Sequence, residues 1–260
     1  VRAAALLARA VGKNDDAAQY DAFAENLASQ YDRAYGPDLV DKYGSYCVLW
    51  PCRLYPLAAG KAHEQFKGLG PQAPESWRYF PLARAHQSLL AGNRTAGYGT
   101  LDIHLDHPQM RHWYAFDEGG KSGSGGWGHL RTTWSGNVAM PHGWAVAEVH
   151  LLLRDCLAYE DGGQVVLFGG IPESWFKAPT GIRVRNFPTH FGSLDAAWEA
   201  AGRGATLRLD SRAAPPEGFL LALPDSLRPN VSIAGKSIEA TKRGFLLPAG
   251  TRRARIQFGS

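Results

Sequence analysis

Apolar residues recur along this chain with two different periods. Up to about position 160 the step is three or four residues. Tyr20, Phe23, Leu27, Tyr31 and Tyr35 fall on one such stripe, which predicts an amphipathic helix. Asp15 and Asp16 suit its start, where unpaired backbone N–H groups carry partial positive charge. Gly36-Pro37 predicts its stop. The stretch "YGSYCVLWPCRLYPLAAG" is densely apolar and interrupted by prolines, and "SWRYFPLARAHQSLLAG" predicts a further helix ending at Gly92. Residues 142–159, "HGWAVAEVHLLLRDCLAY", are apolar nearly all round, the pattern of a helix buried on most sides.

After Asp161-Gly162-Gly163 the period shortens. The runs "QVVLFGG", "GIRVRNF", "ATLRLD", "GFLLALP", "SIEAT", "GFLLPA" and "RARIQF" are brief and bounded by Gly, Pro, Asn or Ser. Several alternate apolar with charged residues, as in Arg183-Val184-Arg185 and Leu207-Arg208-Leu209. Short strands with regular turn signals predict an antiparallel β-sandwich. Helices followed by strands, without interleaving, predict an α+β chain of two packed units, residues 1–160 helical and residues 161–260 β.

Composition narrows the function classes. A hydrophobic content of 45% supplies a sizeable core, and a net charge of +4 with mixed signs and no basic block gives no nucleic-acid footprint. No apolar run approaches the ~18 residues of a membrane span. The opening "VRAAALLARAVG" is too short and too broken by arginine for a signal peptide. Cys47, Cys52 and Cys156 have neither metal-type spacing nor an even count for a disulfide framework.

Chemistry-bearing residues concentrate in "AFDEGGKSGSGGWGHLRTTW", residues 115–134. Gly120-Lys121-Ser122 has the ending of a phosphate-cradling loop, but Ala115 stands where the first glycine is required and no helix pattern follows. No nucleotide cofactor is expected. Trp113, Trp127, Trp134 and Trp144, half of the eight tryptophans, crowd this region. Flat aromatic faces suit the C–H faces of sugar rings. His104, His107 and His112 lack a His-x-x-x-His pair, and Pro108 breaks any helix between them, so no metal is expected.

Longer stretches carry a resemblance. "LLARAVGKNDDAAQYDAFAENLASQYDRAY" resembles the helix-turn-helix found late in (α/α)6-toroid glycoside hydrolases. "WYAFDEGG" followed by "MPHGWAVAEVHLLLRDCLAY" resembles the end of that toroid in α-L-rhamnosidase-like enzymes. "FGSLDAAWEAAGRGATLRLD" with "PEGFLLALP" is similar to the small β-sandwich that closes them. The usual loop has a T-T-x-W-E pattern, whereas here Glu118 follows Phe116-Asp117 and Thr132-Thr133-Trp134 comes later.

The resemblance implies an O-glycosidic hydrolase acting on an oligosaccharide or glycoside. Such toroids have six hairpins, with the general acid in an earlier one, and there is room here for about three. The expectation is therefore the C-terminal part of a larger enzyme, with an open apolar flank where a further hairpin or another chain would pack. By the same resemblance the loop from Trp113 to Pro141 opens on the cleft and Glu118 is the base that activates water. Asp117 either raises the Glu118 pKa by like-charge repulsion or points elsewhere. Trp113, Trp127, Trp134, Trp144 and His142 are expected to contact substrate, with Tyr43, Tyr46 and Trp50 at the start of another inner helix. Arg131, with His129, braces the loop or meets substrate. The bland alternatives are a solvated Asp117-Glu118 turn and a helix-capping His142.

Two other functions fit the same architecture. A polysaccharide lyase would draw on Tyr98 and His142 as base and acid, with Arg131 or Asn137 neutralising a uronate. A carbohydrate-binding fragment would turn nothing over.

Overall fold

The computed structural model describes residues 1–41, 48–75, 77–107, 116, 118, 141–227 and 229–259. The chain is α+β, with its longer helices before its strands. No helix among the described residues is long and apolar enough to cross a membrane.

Helices α1 (Arg2–Ala10) and α2 (Asn14–Tyr35) form the first hairpin. It closes on the small residues Ala5, Ala8 and Ala17, the buried residues of the two helices. Most of the stripe on α2 does not enter a core: Tyr31 packs against the cluster around Leu57 and Phe66, but Tyr20, Phe23, Leu27 and Tyr35 are exposed, as are Leu6, Leu7 and Val11 of the same hairpin. An apolar flank is thus open on this hairpin.

Among the described residues four more helices precede the strands: α3 (Gly60–Lys67), α4 (Tyr79–Leu90), α5 (Arg94–Leu105) and α6 (Gly143–Leu157). Helix α4 lies at the centre. Every residue from Tyr79 to Leu90 except Arg84 is buried, and α3, α5 and α6 all pack on it. Helix α5 turns back from α4 through Gly92, at φ +87°, and Asn93, whose side chain accepts from the Ala96 N–H at 2.9 Å. Gly97 lets α5 approach α4 closely, since a Cβ there would sit 3.2 Å from Leu89.

Helix α6 corrects the expectation of burial on most sides. Its buried residues, Ala145, Glu148, Leu152, Asp155 and Cys156, form one stripe, while Trp144, Val146 and Leu153 are exposed. The neighbours explain it: α4 and α5 cover one side of α6 among the described residues. Two of the buried positions are carboxylic acids, so hydrophobicity alone does not set the facing.

Helix gives way to strand at Leu157–Ala158, and Gly162-Gly163 is the turn of the first hairpin. One sheet has the order β1 (Ala158–Asp161), β2 (Gln164–Leu167), β6 (Phe219–Leu221), β10 (Gly244–Leu247), β9 (Ala240–Thr241). The other runs β3 (Ile182–Thr189), β4 (Gly192–Ala201), β5 (Gly204–Leu209), β11 (Arg253–Phe258), β7 (Pro229–Ile233), β8 (Lys236–Ile238). Pairing is antiparallel except between β2 and β6, which are parallel because the chain leaves to build β3–β5 before returning. A five-residue helix, α7 (Glu173–Lys177), interrupts the strands. It seats Phe176 against Trp198, whose indole N–H donates to the Phe176 carbonyl at 2.9 Å.

Side-chain alternation makes the first sheet a middle layer. Val165, Leu167, Phe219 and Leu221 join one core with Ile182, Leu194, Trp198, Leu207 and Ile256 of the second sheet. Val166 and Leu220 point the other way, into a cluster with Leu57, Phe66 and Leu90 of the helical half. Arginines tie the layers. The Arg94 guanidinium donates to the carbonyls of Phe168, Ile171 and Ala222 at 2.7, 2.6 and 2.9 Å, and burial pushes its pKa down to about 10. Arg53 donates to the Glu160 carbonyl at 2.8 Å.

Candidate active site

Helices α4 and α6 run parallel, start beside start. Tyr79 in the first turn of α4 meets His142 and Trp144 at the start of α6, and His86 further along α4 meets Asp155 further along α6. The starts of both helices therefore open at one end of the bundle. Orphan backbone N–H groups and positive dipole ends collect there.

His142 caps α6: its Nδ1 accepts from the Ala145 N–H at 3.3 Å. The capping role is realised and fixes Nδ1 as an acceptor, which leaves Nε2 to meet anything outside. The Gly-rich loop touches both helix starts through the part of it that is described. The Phe116 carbonyl accepts from the His142 N–H at 2.9 Å and the Glu118 carbonyl accepts from the Arg78 N–H at 3.0 Å. The Phe116 side chain is buried among Tyr79, Phe80 and Ala145, wedged between the two starts. Glu118, two residues on and half-buried, is thereby held at the same end as His142 and Trp144.

An aromatic ledge surrounds these groups. Tyr79 and Trp144 stack at 4.2 Å between centroids with 13° between planes, and Trp77 lies 6.1 Å from Tyr79. Trp144 keeps 41% of its surface exposed. Its indole N–H donates to Glu148 Oε1, one turn along α6, at 3.1 Å. Glu148 itself is only 7% exposed. Burial raises its pKa above the ordinary glutamate value, against smaller opposing effects of His86 and of the Trp144 hydrogen bond.

Deeper along the same helices the polar side chains are paired, although His86 Nδ1 has no hydrogen-bond partner among the described residues. His86 Nε2 lies 2.8 Å from Asp155 Oδ2, and Arg154 donates to Asp155 Oδ1 at 2.5 Å. Gln87 reproduces a backbone partner. Its carbonyl oxygen accepts from the N–H groups of Leu49 and Trp50 at 2.7 and 3.0 Å, and its amide donates to the Trp50 carbonyl at 3.2 Å. Trp50 packs near His86 and lines a separate cavity of about 200 Å³ with Arg53, Arg154, Asp155, Glu160 and His190.

Of the residues expected at the site, the structure brings Glu118, His142 and Trp144 together and sets Trp50 in the deeper cavity. Asp117, Trp113, Trp127, Trp134, Arg131 and Tyr46 lie outside the described residues, as do Tyr43, His112, His129 and Asn137. Tyr98, the expected lyase base, sits in the second turn of α5, nearer the opposite end of the bundle from His142. Burial lowers the His104 pKa to about 4, and no group of three metal-binding side chains occurs among the described residues. Sequence reasoning missed Glu148 and the Tyr79 platform. The signal for Glu148 was a carboxylate inside an apolar helix, four residues after a tryptophan, the spacing at which helix side chains meet.

Comparison with protein-family models, with curated proteins and with solved structures gives no match.

Proposed function

We propose that this chain is a glycoside hydrolase, or the C-terminal portion of one, cleaving an oligosaccharide or glycoside at the paired helix starts. The observation that carries the reading is the tethering of Glu118 by backbone bonds to the starts of α4 and α6, where the Tyr79–Trp144 stack lies. A stacked indole with an exposed face suits a sugar ring. A half-buried glutamate held at the same helix starts supplies a carboxylate suited to activation of water, the base's part in glycoside hydrolysis. His142 Nε2, on the same rim, serves as a partner for a sugar hydroxyl. In this reading the hairpins α1–α2 and α4–α5, with α6, are part of an (α/α) toroid, and the two sheets are the closing β-sandwich. The placement of Tyr98 away from His142 favours hydrolysis over elimination.

The test is Glu118→Gln, assayed on natural oligosaccharides and on a panel of aryl glycosides with thermal melts matched to the parent. Turnover should fall by about 10²–10⁴-fold with the melt unchanged, as for loss of a general base. Unaltered turnover in the variant, absence of turnover by the parent on every glycoside, or an unsaturated ultraviolet-absorbing product each overturns the hydrolase reading.

A further inference from the structure

We infer that Glu148 is the acid of this site, the carboxyl that protonates the departing glycosidic oxygen. The inference rests on the hydrolase reading above and departs from the earlier-hairpin acid that the family resemblance implies.

Helix α6 supplies its own control. Asp155, seven residues on, lies on the same buried stripe and shows how a structural carboxylate is held there. Its two oxygens meet Arg154 and His86 at 2.5 and 2.8 Å. Glu148 is equally withdrawn from water, yet among the described residues it has no ion pair, and its hydrogen bond is the one from Trp144. A buried carboxylate without a countercharge is costly, whereas the neutral acid is not. The Trp144 N–H occupies Oε1, which leaves Oε2 to carry the proton. The titratable group that bears on it is His86 of α4, already engaged by Asp155, which Arg154 engages in turn.

Its position matches the task. The indole that donates to Glu148 is the one stacked on Tyr79 and 41% exposed. A sugar lying on that ledge is therefore registered against Glu148 through one rigid side chain. Six residues at about 1.5 Å each put Glu148 about 9 Å along α6 from His142. The His142 N–H is bonded to the carbonyl of Phe116, two residues before Glu118. Glu148 thus lies in the second turn of α6, and the backbone of Glu118 is held beside the start of α4 at the same end of the bundle.

The step balances. The Glu148 proton passes to the glycosidic oxygen as its bond to the anomeric carbon breaks, and that oxygen keeps the electron pair and leaves as an alcohol. Water, giving a proton to Glu118, adds hydroxide to the anomeric carbon. Solvent then returns a proton to Glu148 and takes one from Glu118.

The experiment is Glu148→Gln, whose amide oxygen can still accept from Trp144, assayed on two glycosides of the same sugar. On an alkyl glycoside, whose leaving group needs a proton, turnover should fall by about 10²–10⁴-fold. On a dinitrophenyl glycoside, whose leaving group departs unprotonated, the loss should stay below about 10-fold, and the alkaline limb of the pH profile should disappear. Equal losses on both substrates, or none, overturn the assignment. Glu118→Gln, run alongside, separates the two claims. If it is inactive on both glycosides while Glu148→Gln does not discriminate, the hydrolase reading stands and the acid is another group. If Glu118→Gln stays active, the hydrolase reading falls, and the Glu148 assignment with it.

Discussion

Helices α4 and α6 lie side by side, and their sequences suggest the wrong one as the central helix. The segment of α6 is apolar nearly all round, yet it buries one stripe and leaves Trp144, Val146 and Leu153 exposed. The segment of α4 carries Arg84 and, after Ala85, His86, Gln87 and Ser88 in succession, yet it is buried on nearly every side. The difference lies in partners. The buried polar side chains of α4 find partners: His86 takes Asp155 through Nε2 while its Nδ1 stays unpaired among the described residues, Gln87 takes the backbone at 49–50, and the Ser88 hydroxyl donates to the Arg84 carbonyl at 2.9 Å. Burial of a polar side chain is tolerated once its hydrogen bonds are made. Exposure of an apolar one costs little and needs no reason.

If partners decide the burial of α4, removing one should be severe. Asp155→Ala leaves the fully buried His86 without its carboxylate, while Arg154 keeps Glu160 and the Pro188 carbonyl. The loss expected for breaking such a buried pair is about 3–5 kcal/mol, read by chemical denaturation. A second substitution, His86→Leu in the same chain, should recover part of it, because an apolar pair asks for no partner. No recovery would mean that the packing of α4 against α6, and not the satisfied charge, sets the stability.

The comparison sharpens at Gln87, which binds no charge. Gln87→Leu keeps the volume but strips partners from the Leu49 and Trp50 N–H groups and from the Trp50 carbonyl. About 1–3 kcal/mol is expected, the cost of buried groups left unsatisfied. Amide exchange at Leu49 and Trp50 should accelerate more than at Leu82. Uniform acceleration across the bundle would assign the loss to global packing instead.

These helices also mark how far the sequence is legible. Every strand-like run after Gly163 carries a strand, because each sheet writes its surroundings into its pattern. Strands β3, β5 and β11 alternate buried with more exposed residues, and β6 and, after Gln164, β2, covered on both faces, are continuously apolar. Helix α5 was hidden by Gly97 and Gly99, glycines there for close approach to Leu89 and Pro71. The α2 stripe was legible as a pattern, but its exposure depends on which elements come to lie beside it. At the site, Glu118, His142 and Trp144 could be named from one stretch of sequence. Tyr79 could not, since it joins that stretch only through the parallel pairing of two helices far apart in the chain; Glu148 lies in the stretch itself, but its burial on α6 depends on the helices that cover it.

The smallest effect expected is the most direct check on facing. Leu152 and Leu153 are consecutive and chemically identical, 0% and 48% exposed. Leu152 packs against Leu82, Leu89 and Leu101, and Leu152→Ala should cost about 2–5 kcal/mol through lost contacts and a cavity. Leu153→Gln should change stability by less than about 0.5 kcal/mol, the range for exposed positions away from special contacts. Glutamine is close to leucine in helix propensity, so the helix itself contributes little to the difference. The pair is measured by denaturant midpoint at constant slope, with turnover on the same samples to show that the helix start is undisturbed. A loss at Leu153 approaching that at Leu152 would put a covering surface on the outer face of α6, and the one-stripe description of that helix would be wrong.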